Sequence, residues 1–184
     1  MKKYADYDKT EAFTGDYEQL EPGGYVCKIL KVVLEEKDYG HLLRIGFDIA
    51  EGEHKDFYKR QFARKKESNA DAKWPGMYYQ TVKQDDLRFF KGFIVAIENS
   101  NPGFKWDWDE QKLTGKLFGG VFGEEEFEIK QGKKAGEIGT VVKCRYIRTV
   151  EQVRNGVDIP EVKRLTSVTS AGTSADLSED SLPF

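Results

Sequence analysis

One stretch of this 184-residue chain repeats its apolar residues at helical spacing, and it constrains the fold more than any other feature. Between residues 81 and 99, Leu87, Phe90, Ile94 and Ile97 recur three or four apart, and Phe93 widens the stripe. That period predicts an amphipathic helix with its aromatics in the core. Thr81, or Gln84 through Asp86, supplies the start, with Asp85 and Asp86 favourable near a helix N-terminus. Asn99-Ser100-Asn101-Pro102-Gly103 supplies the stop. Elsewhere apolar residues fall in short runs between turn signals, so the expected class is mainly β with one helix.

Pro22-Gly23-Gly24 turns into a strand over residues 24–35, rich in β-branched side chains. Lys37-Asp38-Tyr39-Gly40 is a turn, and a second strand over 41–50 places Leu43, Ile45, Phe47 and Ile49 on one core face. The pair reads as an antiparallel hairpin. A third strand is expected over 55–66, before a turn at Trp74-Pro75-Gly76. After the helix, strands are expected over 112–122 and 138–149, with a turn at Glu124-Glu125-Glu126, further pairing over 127–130 and a loop tip at Gly132-Lys133-Lys134. In the last strand Val142, Cys144 and Tyr146 face one way by alternation, and Lys143, Arg145 and Ile147 the other. Asn155-Gly156 is a turn, and Ile159 to Val162 a short edge piece. Three strands, a helix and two strands is the order of an OB-fold, a five-stranded Greek-key barrel whose strand 2–3 face binds oligonucleotides or oligosaccharides. Residues 1–23 form an N-terminal extension, 24–165 the OB-fold domain, and 166–184, which opens in Ser, Thr, Ala and Gly, a flexible, disordered acidic tail.

The net charge of −3 conceals a balanced body. Asp176, Glu179 and Asp180 in the tail account for all of it, leaving 29 basic residues outside the tail against as many acidic ones. Residues 55–66 depart from that balance. Lys55, Lys59, Arg60, Arg64, Lys65 and Lys66 face only Asp56, with Phe57, Tyr58 and Phe62 interleaved. Cations neutralise phosphates and release counterions. Exposed rings stack on unpaired bases at roughly 1–3 kcal/mol per base with little regard for sequence. On a strand Tyr58, Arg60, Phe62 and Arg64 share the face expected to meet the ligand; Lys59 takes the other. Lys65 and Lys66 extend the basic stretch, Trp74 in the following loop offers another ring, and Lys143 and Arg145 extend the groove from the last strand.

Other chemistries have weaker claims. Asp107, Asp109 and Glu110, or Glu124 to Glu126, lack the ligand count and glycine spacing of a calcium loop. His41 and His54 have no Cys partners for zinc. No phosphate loop or nucleophile elbow occurs, so neither enzyme, metal nor cofactor is expected. Cys27 and Cys144 sit far apart in apolar runs and read as buried thiols in a reducing, cytoplasmic compartment. No stretch approaches membrane-spanning length.

The final residues, Asp176-Leu177-Ser178-Glu179-Asp180-Ser181-Leu182-Pro183-Phe184, are acidic and then apolar. They resemble the C-terminal tip of bacterial and phage single-stranded DNA-binding proteins, which ends in acidic residues and a Leu- or Ile-Pro-Phe terminus. The body resembles the OB-type proteins of this class encoded by phages of Gram-positive bacteria. The features that carry this are a Gly-Gly-Tyr opening strand, a Phe-rich helix ending in Glu98-Asn99-Ser100-Asn101, and Leu113-Thr114-Gly115-Lys116. The resemblance implies a protein that protects single-stranded DNA in the host cytoplasm during replication, recombination and repair. It also implies that Asp176, Glu179, Asp180, Leu182, Pro183 and Phe184 recruit partner proteins. A linker of about 18 residues gives that tip roughly 24 Å of random-coil reach. Relatives of this class are often tetramers, which leaves a homo-oligomer open. Two rivals remain: an accessory adaptor that uses the tail without strong DNA binding, and an RNA-binding OB protein.

Overall fold

In a computed structural model, which describes residues 18–130, 132 and 134–165, five strands build one antiparallel sheet. They are β1 (Gly23–Lys37), β2 (Gly40–Ile49), β3 (Met77–Lys83), β4 (Leu117–Glu128) and β5 (Ile138–Arg148). Their order across the sheet is β3-β2-β1-β4-β5, with β3 and β5 at its two edges. The protein is mainly β, as expected. The expected tail, 166–184, lies outside the described residues, as do residues 1–17.

β1 is long because it serves two partners. Its outer half, Cys27 to Lys37, pairs with β2, and its first residues, Gly23 to Lys28, pair with β4. Only Cys27 and Lys28 are registered with strands on both sides. The expected hairpin is present, and Leu43, Ile45, Phe47 and Ile49 are all buried.

The third strand differs from expectation. Residues 57–68 form a helix, α1 (Phe57–Ser68), and the third strand is β3, some twenty residues later in the chain. Lys, Arg, Gln, Ala and Glu dominate this stretch, and all favour helix. Alternating rings and cations imitated a period of two. The decisive element lies elsewhere in the sequence. Asp48 of β2 is buried beneath the helix start, and its carboxylate accepts from the backbone N–H groups of Tyr58 (2.9 Å) and Lys59 (3.0 Å). This remote side chain satisfies donors that every helix leaves open at its N-terminus.

α2 (Arg88–Ser100) corresponds to the expected helix but starts later, since Thr81 belongs to β3; Phe90, Phe93, Ile94 and Ile97 are buried as the period requires, whereas Leu87, just ahead of the helix, is exposed. A 3-10 turn, Glu110–Leu113, leads into β4, where the strand runs straight through the expected turn at Glu124–Glu126. A third helix, α3 (Val150–Arg154), follows β5. Thr149 and Gln152 close a reciprocal capping box at its start, a Thr-x-x-Gln signature visible in the sequence. Among the described residues there are thus three helices where one was expected.

β5 also departs from simple alternation. Val121 pairs with Tyr146, but the next residue, Phe122, pairs with Cys144, so Arg145 is an extra residue in the ladder. Such a bulge re-aims the side chains that follow it. Val142 and Cys144 pack against the core, Ile147 is buried, and Tyr146 is exposed. Ile147 and Tyr146 have therefore exchanged their expected faces. Cys27 and Cys144 are free thiols.

Candidate nucleic-acid interface

The sheet edges β3 and β5 frame one open cleft of about 1940 Å3. α1 and the loop after it form part of the wall, and Glu18 to Pro22 and the far end of β4 close the rim. The sequence-predicted residues divide at this feature. Tyr58, Arg60, Arg64, Lys65, Trp74, Lys143 and Arg145 line the cleft; Lys59, Phe62 and Lys66 do not.

The two bulkiest predicted stacking rings are built into the fold. Tyr58 is 6% exposed, packs edge-on against Phe47 at 5.4 Å, and burial pushes its phenol well above its usual range. Trp74 is also 6% exposed and donates its indole N–H to the Phe47 carbonyl at 3.0 Å. A helix turns successive side chains by about 100°, so the single face expected for Tyr58, Arg60, Phe62 and Arg64 does not exist. Phe62 is half-buried, 5.4 Å from Trp74, and carries the Lys66 ammonium over its ring at 5.2 Å. Gly76 permits the close packing beneath them. A Cβ there would stand 2.3 Å from the Phe47 carbonyl oxygen and 2.7 Å from the Tyr58 ring.

Arg60 already has an anion. Its guanidinium donates to both carboxylate oxygens of Glu18 at 2.8 Å, and His54 meets the same carboxylate at 3.0 Å. Burial works against the Glu18 charge, but hydrogen bonds from Arg60 and His54 outweigh it and hold the carboxyl below its ordinary value. Across the cleft, Arg145 donates to the Glu124 carbonyl at 3.4 Å and Lys163 pairs with Glu125 at 2.9 Å. Arg64 and Lys65 form no ion pair among the described residues and stand exposed toward the cleft. Glu18 and Lys163 escaped the sequence reading because charge runs mark single segments, whereas these residues reach the site only through folding. Asp48 escaped it for the same reason. Burial lifts its carboxyl above the ordinary value, against the pull of backbone N–H donors from Tyr58, Ile49 and Lys59.

The acidic residues weighed for metal binding are otherwise engaged. Asp107 and Asp109 lie beside Lys112, and Asp109 caps the 3-10 turn. Among the described residues no three His, Cys, Asp or Glu side chains converge. None of their helices is long and apolar enough to cross a membrane. The predicted tip residues Asp176, Glu179, Asp180, Leu182, Pro183 and Phe184 lie outside the described residues. No protein-family model matches the chain, and no curated protein matches it.

Proposed function

We propose that this protein binds single-stranded DNA in the cleft between β3 and β5. One observation carries the reading. Arg64 and Lys65 on α1 and Lys143 and Arg145 on β5, far apart in sequence, line the same open channel. Such a channel suits a flexible phosphate backbone, since cations on both walls neutralise charge without reading sequence. The strand order β3-β2-β1-β4-β5, with α2 between β3 and β4, supports an OB-type Greek-key barrel left open between its edge strands. In this proposal α1, inserted between β2 and β3, supplies the cations that an ordinary third strand was expected to carry. Residues 176–184 are proposed to recruit replication, recombination or repair proteins through Leu182, Pro183 and Phe184, in the cytoplasm of a host cell.

The test is a titration of fluorescein-labelled oligo-dT, followed by anisotropy at low and high salt, beside a duplex and a matched RNA. Saturable binding to the single strand, weakening with salt and absent for the duplex, is expected. Equal affinity for the matched RNA would move the reading to an RNA-binding protein. No binding to any strand would leave the accessory adaptor, for which the paired Arg60 and Lys163 are the favouring observation.

A further inference from the structure

Lys143 and Arg145 line the cleft, but the outward face of β5 also carries Tyr146 and Arg148, which the cleft does not use. Residues paired across antiparallel strands share a face. Lys143 pairs with Gly123, Tyr146 with Val121 and Arg148 with Gly119. Val121 packs with Val26, Val150 and Val153, apart from the main core, which places that face outward. Arg145, the bulged residue, joins it: a Cβ on Gly123 would meet the Arg145 side chain at 3.5 Å. Within six residues, the bulge sets three cations and one ring on the same side of an edge strand.

The ring is placed as a ligand surface would be. Tyr146 is 46% exposed, while the neighbouring Ile147 is buried. The guanidinium carbons of Arg145 and Arg148 stand 5.9 and 5.7 Å from its centroid. Without the bulge, Tyr146 would point into the core and Ile147 would be exposed. An exposed cation–π contact is weaker than base stacking, so these guanidiniums can yield the ring to a base and turn to phosphate.

We propose that Tyr146 is a stacking platform for an unpaired base outside the cleft, with Arg145 and Arg148 holding the phosphates on either side. This rests on the single-strand reading above and extends the DNA path from the cleft over the edge of β5. The geometry has no use for a duplex, whose bases are already stacked.

The experiment compares the full chain with Y146A, Y146W, R148A and the cleft variant R64A/K65A, using labelled oligo-dT across a salt series. Y146A is expected to weaken binding about 5- to 150-fold, with an unchanged salt slope. Y146W restores affinity, and R148A lowers the salt slope by about 0.7. Unfolding midpoints are compared, since an exposed ring is expected to leave Y146A as stable as the parent. Wild-type affinity in Y146A, with R64A/K65A impaired, overturns this proposal and leaves the cleft reading standing. A Y146A loss that Y146W does not restore also overturns it. No single-strand binding by the parent overturns both.

Discussion

Asp48→Ala should destabilise the protein and weaken the proposed single-strand binding, although Asp48 lines no part of the cleft. The carboxylate accepts from Ile49, Tyr58 and Lys59 at 2.8, 2.9 and 3.0 Å. Removing it leaves two helix-start donors without their acceptor, one of them on a buried residue. A lost N-cap costs about 0.5–2 kcal/mol, and each donor left unsatisfied in the interior about 1–3 kcal/mol. The substitution also relieves the burial of a charge, which offsets part of this. The expected net loss is about 2–4 kcal/mol. At a urea m-value near the middle of the usual range, about 2 kcal/mol/M, the midpoint falls by about 1–2 M. Asp48→Asn keeps one oxygen, which can still accept from Ile49 and Tyr58, and should lose about half as much. Urea unfolding followed by circular dichroism measures both. With α1 frayed, Arg64 and Lys65 lose their fixed positions, so the oligo-dT affinity of Asp48→Ala should fall at a temperature where it remains folded. An Asp48→Ala midpoint within 0.3 M of the parent, about 0.6 kcal/mol at that m-value, would refute the assignment of Asp48 as the cap that holds this helix.

Four further outcomes are expected. The double variant R64A/K65A should flatten the log–log salt dependence of single-strand binding by roughly 1.4, as loss of two phosphate contacts requires. Gly76→Ala drives a Cβ to 2.3 Å from a backbone oxygen and should cost at least about 1–3 kcal/mol of overpacking, read as a drop in melting temperature. Gly92→Ala on the exposed side of α2 meets open space and should stabilise by about 0.5–1 kcal/mol, raising the melting temperature by a few degrees. Hydrogen bonds from Arg44 and Lys37 hold the Glu35 carboxyl below its ordinary value, so its contribution is present above about 4.5 and lost as the pH falls through the lowered value. Glu35→Gln should therefore show a shallower acid limb in a plot of stability against pH, and an unchanged limb would count against that pair.

The parts of this fold legible in sequence are those whose signal is local. The β2 core face was readable because side chains alternate along a strand, and α2 because its stripe repeats. α1 was not, because residues 57–68 satisfy two periods and the choice falls to Asp48, whose role appears only when β2 lies beneath the helix start. The bulge at Arg145 left no local mark either, and it reversed the faces of Tyr146 and Ile147. Charge singled out two segments that meet in one cleft, and periodicity misplaced their rings. Arg64, Lys65, Lys143 and Arg145 meet in one cleft, while Tyr58 and Trp74 were expected outside and support the core. The α3 capping box shows the opposite case, a local signature that a search for strands passes over.

The double service of β1 has a mechanical consequence. Its outer half belongs to a three-stranded unit with β2 and β3, and β4 and β5 form a second unit joined to it through six paired positions of β1. Cys27 and Lys28 are registered in both ladders, and backbone hydrogen bonds from Ala50 to Val26, from Ile29 to Lys116 and from Gly115 to Ile29 carry the seam between the two units over Val26 to Ile29. The cleft opens at the opposite margin, between β3 and β5, at the greatest lever arm from that seam. A few degrees of twist along that seam becomes a larger change in the width of the mouth, and α2, which packs on β3, β4 and β5, is the element that resists it. The width of the groove is thus tied to the back of the sheet and to α2, parts of the fold that do not line it.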